Sequence, residues 1–503
     1  MGTWERANNS TNGGDPVEES EKKRPVHLDF EDNITYLKKA LGVEENFDIV
    51  HLELFHAGKQ MALFVVDGFA KDFAITQIQR ELVTLELGDL GHDPVETLMK
   101  SVIPYVELST ASDLDQVVDE VLSGPAALVI EGAEKVILID TREYPVRGPE
   151  EPDTEKVIRG SRDGFVETIV MNVALIRRRV RDRTLRVEYV STGRRSKSDL
   201  AITYIADIAD DKIVSKLKQG VEKMITDGIP MGDKTIEEYV FGHHLNPYPL
   251  VRYSERPDVA ASHLFEGHVL LLVDGSPSVM IAPTTFWHHL QHAEEYRQKP
   301  VVGAALRLVR FLAVWTSIFL LPLWYLYASN ERLIPPGLEF IGEEQKGAVP
   351  LIYQFLFAEA GIEMLRMAAI HTPNALSTAL GLVAALLIGE VAIEVGMFSP
   401  EVILYLAVAA VGTFATPSYE LGLANRLIRV ALLIVTSLFG LAGYLIGTTV
   451  WLLMLAHIRS IDTPYLWPFI PFNGRALRDV LLRAPMPLKH RRPVAIHPKD
   501  PDR

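Results

Sequence analysis

Up to Pro300 the apolar residues of this chain fall in short runs between polar and turn-forming positions. Beyond it they merge into stretches long enough to cross a bilayer. Residues 32–40 carry a helical pattern that stops at Leu41-Gly42. Residues 48–54 and 61–66 are β-rich and end at Asp67-Gly68, and 126–131 with 136–140 form a hairpin-like pair around Gly132. Alternating helix and strand signals predict an α/β lobe over 26–145. Residues 145–154 (PVRGPEEPDT) combine proline with charge, so 146–154 reads as a linker to a second α/β lobe at 155–300. The second lobe echoes the first: 61–72 can be laid beside 200–211, and 131–140 beside 266–274. A degenerate tandem duplication explains both matches, although short apolar runs ending in Asp-Gly also recur by chance.

The predicted fold class is therefore an α/β soluble region of two related lobes followed by an all-α transmembrane bundle at 301–457. Residues 308–328 begin beside Arg307 and Arg310 and close on Trp324, Tyr325 and Tyr327, the arrangement of a span with an interfacial aromatic belt. Further spans are expected at 375–398, 402–416 and 430–456, the last long enough to cross while tilted. Residues 350–370 are less apolar, because Glu359, Glu363 and Arg366 interrupt them at helical spacing. That stretch reads as interfacial, re-entrant or a fifth span. Arg459, Arg475, Arg478, Arg483, Lys489, Arg491, Arg492, Lys499 and Arg503 outnumber the acids after the last span, which makes 458–503 a basic cytoplasmic tail. Arg297, Lys299, Arg307 and Arg310 put the soluble region on the same side. Both ends inside requires an even number of spans, favouring four with 350–370 not crossing and the acidic loop 331–344 facing outward.

Composition narrows the function. The formal net charge is −15, with most acids before residue 300, and no basic stripe suits phosphates, so no nucleic-acid partner is expected. The chain has no cysteine, which excludes disulfides, thiolate metal sites and a cysteine nucleophile. Residues 1–25 are polar without the apolar core of a signal peptide and are expected to be a disordered cytoplasmic tail. No phosphate-binding glycine loop, dinucleotide turn or nucleophile elbow is present, so neither an enzyme nor a cofactor is expected.

Intramembrane charges are the strongest functional pointer that remains, since a charge in mid-bilayer needs water or a partner. Glu390 and Glu394, four residues apart, project from one helix face with Leu387 and Val383 below them. In a symmetric oligomer they would form carboxylate rings that attract cations above an apolar constriction that gates by dewetting. Alternatively each pairs with Arg307, Arg310, Arg426 or Arg429. Small residues of the same span, among them Gly381, Gly389 and Gly396, suit close helix packing. In the second lobe Arg177, Arg178 and Arg179 with Arg194 and Arg195 form a basic cluster, read either as a subunit contact, a docking surface for anionic headgroups, or a solvated face. His288 and His292 have HxxxH spacing but lack the glutamate of a zincin, so an amphipathic connector is preferred to a metal site and no metal is expected.

Residues 155–168 (EKVIRGSRDGFVET), 172–179 (NVALIRRR), 190–197 (VSTGRRSK), 253–258 (YSERPD), 266–277 (EGHVLLLVDGSP) and 418–422 (SYELG) resemble, in this order, the spore germination receptor A-subunit family. The C-terminal RRPVAIHPKDPDR (491–503) is similar to the stage V sporulation branch of that family. The resemblance implies a multi-pass protein of the spore inner membrane whose copies assemble as a ring, a pentamer, around a cation-conducting pore. It also implies germinant- or ion-triggered release of monovalent cations, another spore membrane protein as partner, and contact with inner-membrane lipids. Nutrient recognition is attributed to a different subunit, and no family ligand site maps onto this chain. The rival reading is a non-conducting scaffold that clusters germination receptors or a partner membrane protein.

Overall fold

The computed structural model describes residues 24–103, 107–142, 155–242, 244–330, 332, 337, 342, 348–371, 381, 389–483, 485, 487 and 489–502. Most of the N-terminal tail, the linker at 146–154, most of the loop at 331–344, and Val383 and Leu387 with most of 375–398 lie outside them. The chain divides into two compact units, residues up to 43 with 49–142, and residues 44–48 with 143 onward. The expected first lobe thus lends the five residues 44–48 to the second unit, and the second lobe and the helical bundle belong together.

The first unit is built on a five-stranded sheet of β1 (Ile49–His56), β2 (Lys59–Val66), β3 (Leu108–Ala111), β4 (Ala126–Ile130) and β5 (Val136–Ile139), in the order β1-β2-β4-β5-β3. Every ladder is antiparallel. Alternation sends Met61, Leu63, Val65, Leu128, Ile130, Ile137 and Ile139 to one face, where Ile78 and Leu82 of helix Asp72–Val83 cover them. Helices Phe30–Leu41 and Leu114–Ser123 cover the other face. The stop read at Leu41-Gly42 is an αL cap: Gly42 has φ 63° and its N–H donates to the carbonyls of Lys38 and Lys39.

The second unit repeats the plan. Its strands β6 (Leu185–Thr192), β7 (Ser198–Ile205), β8 (Arg252–Ser254), β9 (Val269–Val273) and β10 (Val279–Ala282) take the order β6-β7-β9-β10-β8, also antiparallel throughout. Five positions later in the count, this is the order of the first sheet. The match of 61–72 with 200–211 superposes β2 on β7, as a duplication requires. The match of 131–140 with 266–274 does not, because it lays β5 against β9, whereas β9 corresponds to β4. Glu-Gly marks a hairpin turn in one lobe and the approach to a strand in the other. Leu270 and Leu272 face one core with Ile169, Val173 and Leu264; Val269, Leu271 and Val273 face another with Ile213, Leu217 and Ile236.

The bundle is folded differently from the four-span expectation. Helix Pro300–Ala328 begins beside the second lobe and runs away from it. Helix Leu351–His371 runs back: Phe355 packs on Trp324, Glu359 binds Arg429, which itself binds the Ser317 carbonyl, and Arg366 lies over Tyr419. It lies lengthwise within the bundle, and its carboxylates face arginines. Ala392 and Phe398 return beside Trp324 and Phe355, at the distal end. Helix Pro400–Phe414 then runs toward the lobe, with Tyr405 stacked on Trp324 and Gly412 so close to the Ala313 carbonyl that a Cβ would lie 2.4 Å from it.

The expected single tilted span at 430–456 is also corrected. Tyr419–His457 is helical throughout except at Gly440, whose φ of 59° and ψ of −138° only glycine adopts readily. The chain reverses there. Asn425 and Trp451 both bond the Tyr248 hydroxyl, at 3.3 and 2.6 Å, although one straight helix would hold them roughly 40 Å apart at about 1.5 Å per residue. Gly447 permits the two arms to meet, since a Cβ on it would come within 2.8 Å of Leu432 Cδ2. The C-terminal segment is no loose tail among the described residues: Ile496 is buried in the second lobe's core, Thr463 bonds the Ala495 carbonyl, and the Lys499 N–H donates to the Ile208 carbonyl.

Candidate functional site

Two charged assemblies define the region where lobe and bundle meet. The first is at the connector. His292 caps the short helix Ala293–Arg297 by accepting from the Glu294 N–H, which aims Glu295, fully buried, at the first bundle helix. Arg307 donates to Glu295 Oε1 at 2.5 Å and Arg310 to Oε2 at 2.8 Å. Arg307 also donates to the Asp479 and Val480 carbonyls at 2.9 and 2.8 Å, and Arg483 to the Tyr296 carbonyl at 2.6 Å. Gly303 lets this helix approach, because a Cβ there would lie 2.4 Å from the Glu295 carbonyl oxygen. One carboxylate thus ties connector, first bundle helix and C-terminal segment together.

The second assembly lies inside the bundle. Arg429, 2% exposed, donates to Glu359 at 2.6 Å, the Ser317 carbonyl at 2.7 Å and Thr413 at 3.2 Å. Arg426 donates to Glu359 at 3.0 Å and also bonds Glu363, which pairs with Arg366. Arg366, Thr413, Arg426 and Arg429 of this assembly line a cavity of about 240 Å³ between helices. Glu359, Glu363 and Arg366 were legible as charges at helical spacing; the signal missed is that Arg426 and Arg429, three apart, form the complementary face.

The arginines offered as partners of Glu390 and Glu394 are therefore engaged elsewhere: Arg307 and Arg310 with Glu295, Arg426 and Arg429 with Glu359. Glu390 and Glu394 are exposed and form no ion pair among the described residues. They stand at the distal end of the bundle, where the helical segment ends at Glu394 and turns at Gly396, φ 72°.

The basic cluster separates. Arg177 is corrected as a subunit contact: it is 1% exposed and holds Asp48 through two 2.9 Å bonds, so its charge is spent inside the unit. Asp48, across 129 positions, joins Asn46 and Phe47, which bond Val187, in tying 44–48 to the second unit. Arg179 is half-buried and bonds Ser161, Asp163 and the Leu175 carbonyl. Arg178, Arg194 and Arg195 are exposed, Arg195 lying 3.5 Å from Asp227. Arg177→Ala strands a buried carboxylate and is expected to cost about 3–5 kcal/mol. Melting of the full-length protein in detergent measures this, and adding Asp48→Ala should cost less than the two single losses summed.

His288 and His292 do not form a pair. His288 instead meets His263 and His268, which no sequence spacing announces, with ring centroids 5.9 and 5.0 Å away. Burial holds His263 and His289 down to about 3 and His268 to about 4, so all three rings are neutral. Burial acts to raise Glu266, but Lys489 beside it, with His263, brings its carboxyl down to about 2.

The comparisons with known proteins fit this architecture. The family model described as Bacillus/Clostridium GerA spore germination protein matches residues 35–495. The chain belongs to the GerA spore germination family. Among curated GerA relatives, stage V sporulation protein AF of Bacillus subtilis (strain 168) is 49% identical over 95% of this chain and 97% of its own length. Spore germination protein KA of the same organism is 28% identical over 96% of this chain and 90% of its own. Among solved structures, the N-terminal domain of the A subunit of the Bacillus megaterium spore germinant receptor GerK3 is 23% identical with a TM-score of 0.41, covering 53% of this chain and 99% of that one. The protein is thus a GerA-family protein of spore germination, and two helical stretches, Pro300–Ala328 and Tyr419–His457, the second doubled back at Gly440, are apolar enough by composition and length to cross a membrane.

Proposed function

We propose that this protein is the subunit of an oligomeric cation channel of the spore inner membrane, releasing monovalent cations during germination in response to receptors or to an ion signal. The observation that carries the proposal is the contrast between two pairs of bundle carboxylates. Glu359 and Glu363 are neutralised by arginines, whereas Glu390 and Glu394 are exposed at the distal end with no ion pair among the described residues. Repeated around a ring, a pentamer by family resemblance in the sequence, they make a collar of negative charge at a pore mouth, which concentrates cations. In the same reading the exposed Arg178, Arg194 and Arg195 serve contact between subunits or with anionic headgroups.

In this reading the second lobe and the C-terminal segment are cytoplasmic, and the bundle helices cross and return between that face and the distal one. The lobe acts on the pore through Glu295 and the first bundle helix. Purified protein reconstituted in liposomes should pass K⁺, and Glu390→Gln with Glu394→Gln should slow that flux several-fold without lowering the melting temperature. Unchanged flux in the double variant removes these residues from the pathway. Absence of flux in the parent protein as well favours the non-conducting scaffold, in which both glutamates serve partner contact.

A further inference from the structure

We propose that Glu266, His268 and His288 form a site for a zinc-class divalent metal ion, which competes with Lys489 for the Glu266 carboxylate. One ligand atom from each of the three residues lies within 4.8 Å of the others. Tetrahedral ligands about 2.1 Å from zinc lie about 3.4 Å apart, so the widest pair closes by little more than about an ångström on binding. Two imidazoles and one carboxylate are the donor set of a three-ligand zinc site with its fourth position open, and they do not suit calcium or magnesium, which take oxygen ligands.

His268 is the second, independent observation. It is fully buried, and its Nδ1 lies 2.8 Å from the Pro283 carbonyl, an oxygen that can only accept. The proton is therefore on Nδ1, and Nε2 presents a bare lone pair that has no partner among the described residues. A backbone carbonyl fixing one ring nitrogen while the other stays bare is the arrangement that supports metal-ligating histidines. Without a cation, the same lone pair is a buried acceptor left unsatisfied. His288 Nδ1 accepts from the Thr285 backbone N–H at 3.0 Å, which puts that ring's proton on Nε2; ligation through Nε2 therefore requires the proton to pass to Nδ1, where the Thr285 hydroxyl oxygen, 3.2 Å away, can accept it. His263, bonded to the Val259 carbonyl at 2.8 Å, walls the site as a neutral ring.

A cation already stands at the carboxylate: Lys489 Nζ is 2.6 Å from Glu266 Oε1. An ammonium and a divalent ion repel, so metal binding displaces Lys489. That lysine belongs to the C-terminal segment whose Arg483 holds the Tyr296 carbonyl and whose Asp479 and Val480 carbonyls receive Arg307. Occupancy of the site therefore bears on the segment that grips the connector and the first bundle helix.

The test uses metal-stripped full-length protein in detergent, titrated with Co²⁺ as a visible-absorption probe and with Zn²⁺ in competition. The expected result is one ion per chain with a tetrahedral Co²⁺ spectrum. His268→Ala and His288→Ala should each weaken Zn²⁺ binding by at least about 100-fold, no less than losing the outer shell of such a site costs. Lys489→Met, which leaves the buried rings untouched, should tighten it about tenfold, and His497→Ala should leave it unchanged. Absence of a tetrahedral Co²⁺ spectrum, or binding that persists in the His268→Ala/His288→Ala double variant, overturns the site. Unchanged affinity in Lys489→Met overturns the competition.

Discussion

Glu359→Ala is expected to destabilise the helical bundle by about 3–5 kcal/mol, the range for breaking a buried ion pair from one side. Glu359 is buried and is the carboxylate shared by Arg426 and Arg429, whose guanidinium groups lie in the bundle interior. Arg429 has no other acidic partner among the described residues; its remaining acceptors are the Ser317 and Ala409 carbonyls and Thr413. Removing the carboxylate leaves that charge uncompensated in a low-dielectric interior, where an unpaired guanidinium is costly. Glu359→Gln retains size and one acceptor, so it should lose less, about 1–3 kcal/mol. Thermal melting in detergent, read by the intrinsic fluorescence of the bundle tryptophans, measures both. Glu390→Gln and Glu394→Gln should not move the same transition, because those groups are exposed and form no ion pair among the described residues.

Glu295→Ala should have an effect of similar size but a different consequence. Its carboxylate receives both Arg307 and Arg310, and it is completely buried. Two cations lose their shared anion at the point where the lobe enters the bundle, a cost of about 3–5 kcal/mol that falls on the connector. Hydrogen exchange over 285–310 should therefore rise while the strands of both sheets keep their protection. In spores the variant should respond weakly to germinants even where it accumulates normally. Protection at 285–310 equal to that of the parent would mean that the connector is held by other contacts.

The soluble fold was largely legible because its determinants are local. Continuous apolar runs such as 61–66 and 126–130, closed by Asp-Gly or Glu-Gly, give buried strands, and the echo of 61–72 in 200–211 foretold two sheets of one order. The bundle was less legible, for two physical reasons. A reversal at one glycine leaves no mark in hydropathy: Gly440 sits in an unbroken apolar stretch, and only a backbone that must adopt φ 59° and ψ −138° distinguishes it from the other glycines. Hydropathy also counts charges singly, so Glu359 lowered the apparent membrane compatibility of 350–370, although Arg426 and Arg429, nearly 70 residues on, neutralise it.

The candidate site shows the same division. Glu390 and Glu394 were found from their spacing, but their place at the distal end depends on where the preceding helix stops. Arg177 looked like part of a surface cluster because its partner, Asp48, is remote in sequence. The histidine group escaped notice because His263, His268 and His288 come from a helix, a strand entrance and the connector.

Cation flux through proteoliposomes containing only this protein tests the central proposal most directly. Vesicles loaded with K⁺ and diluted into K⁺-free buffer should lose the ion through the parent protein, and several-fold more slowly through the Glu390→Gln/Glu394→Gln variant. Equal flux in the two proteins, or none from a correctly folded and inserted parent, would contradict the account.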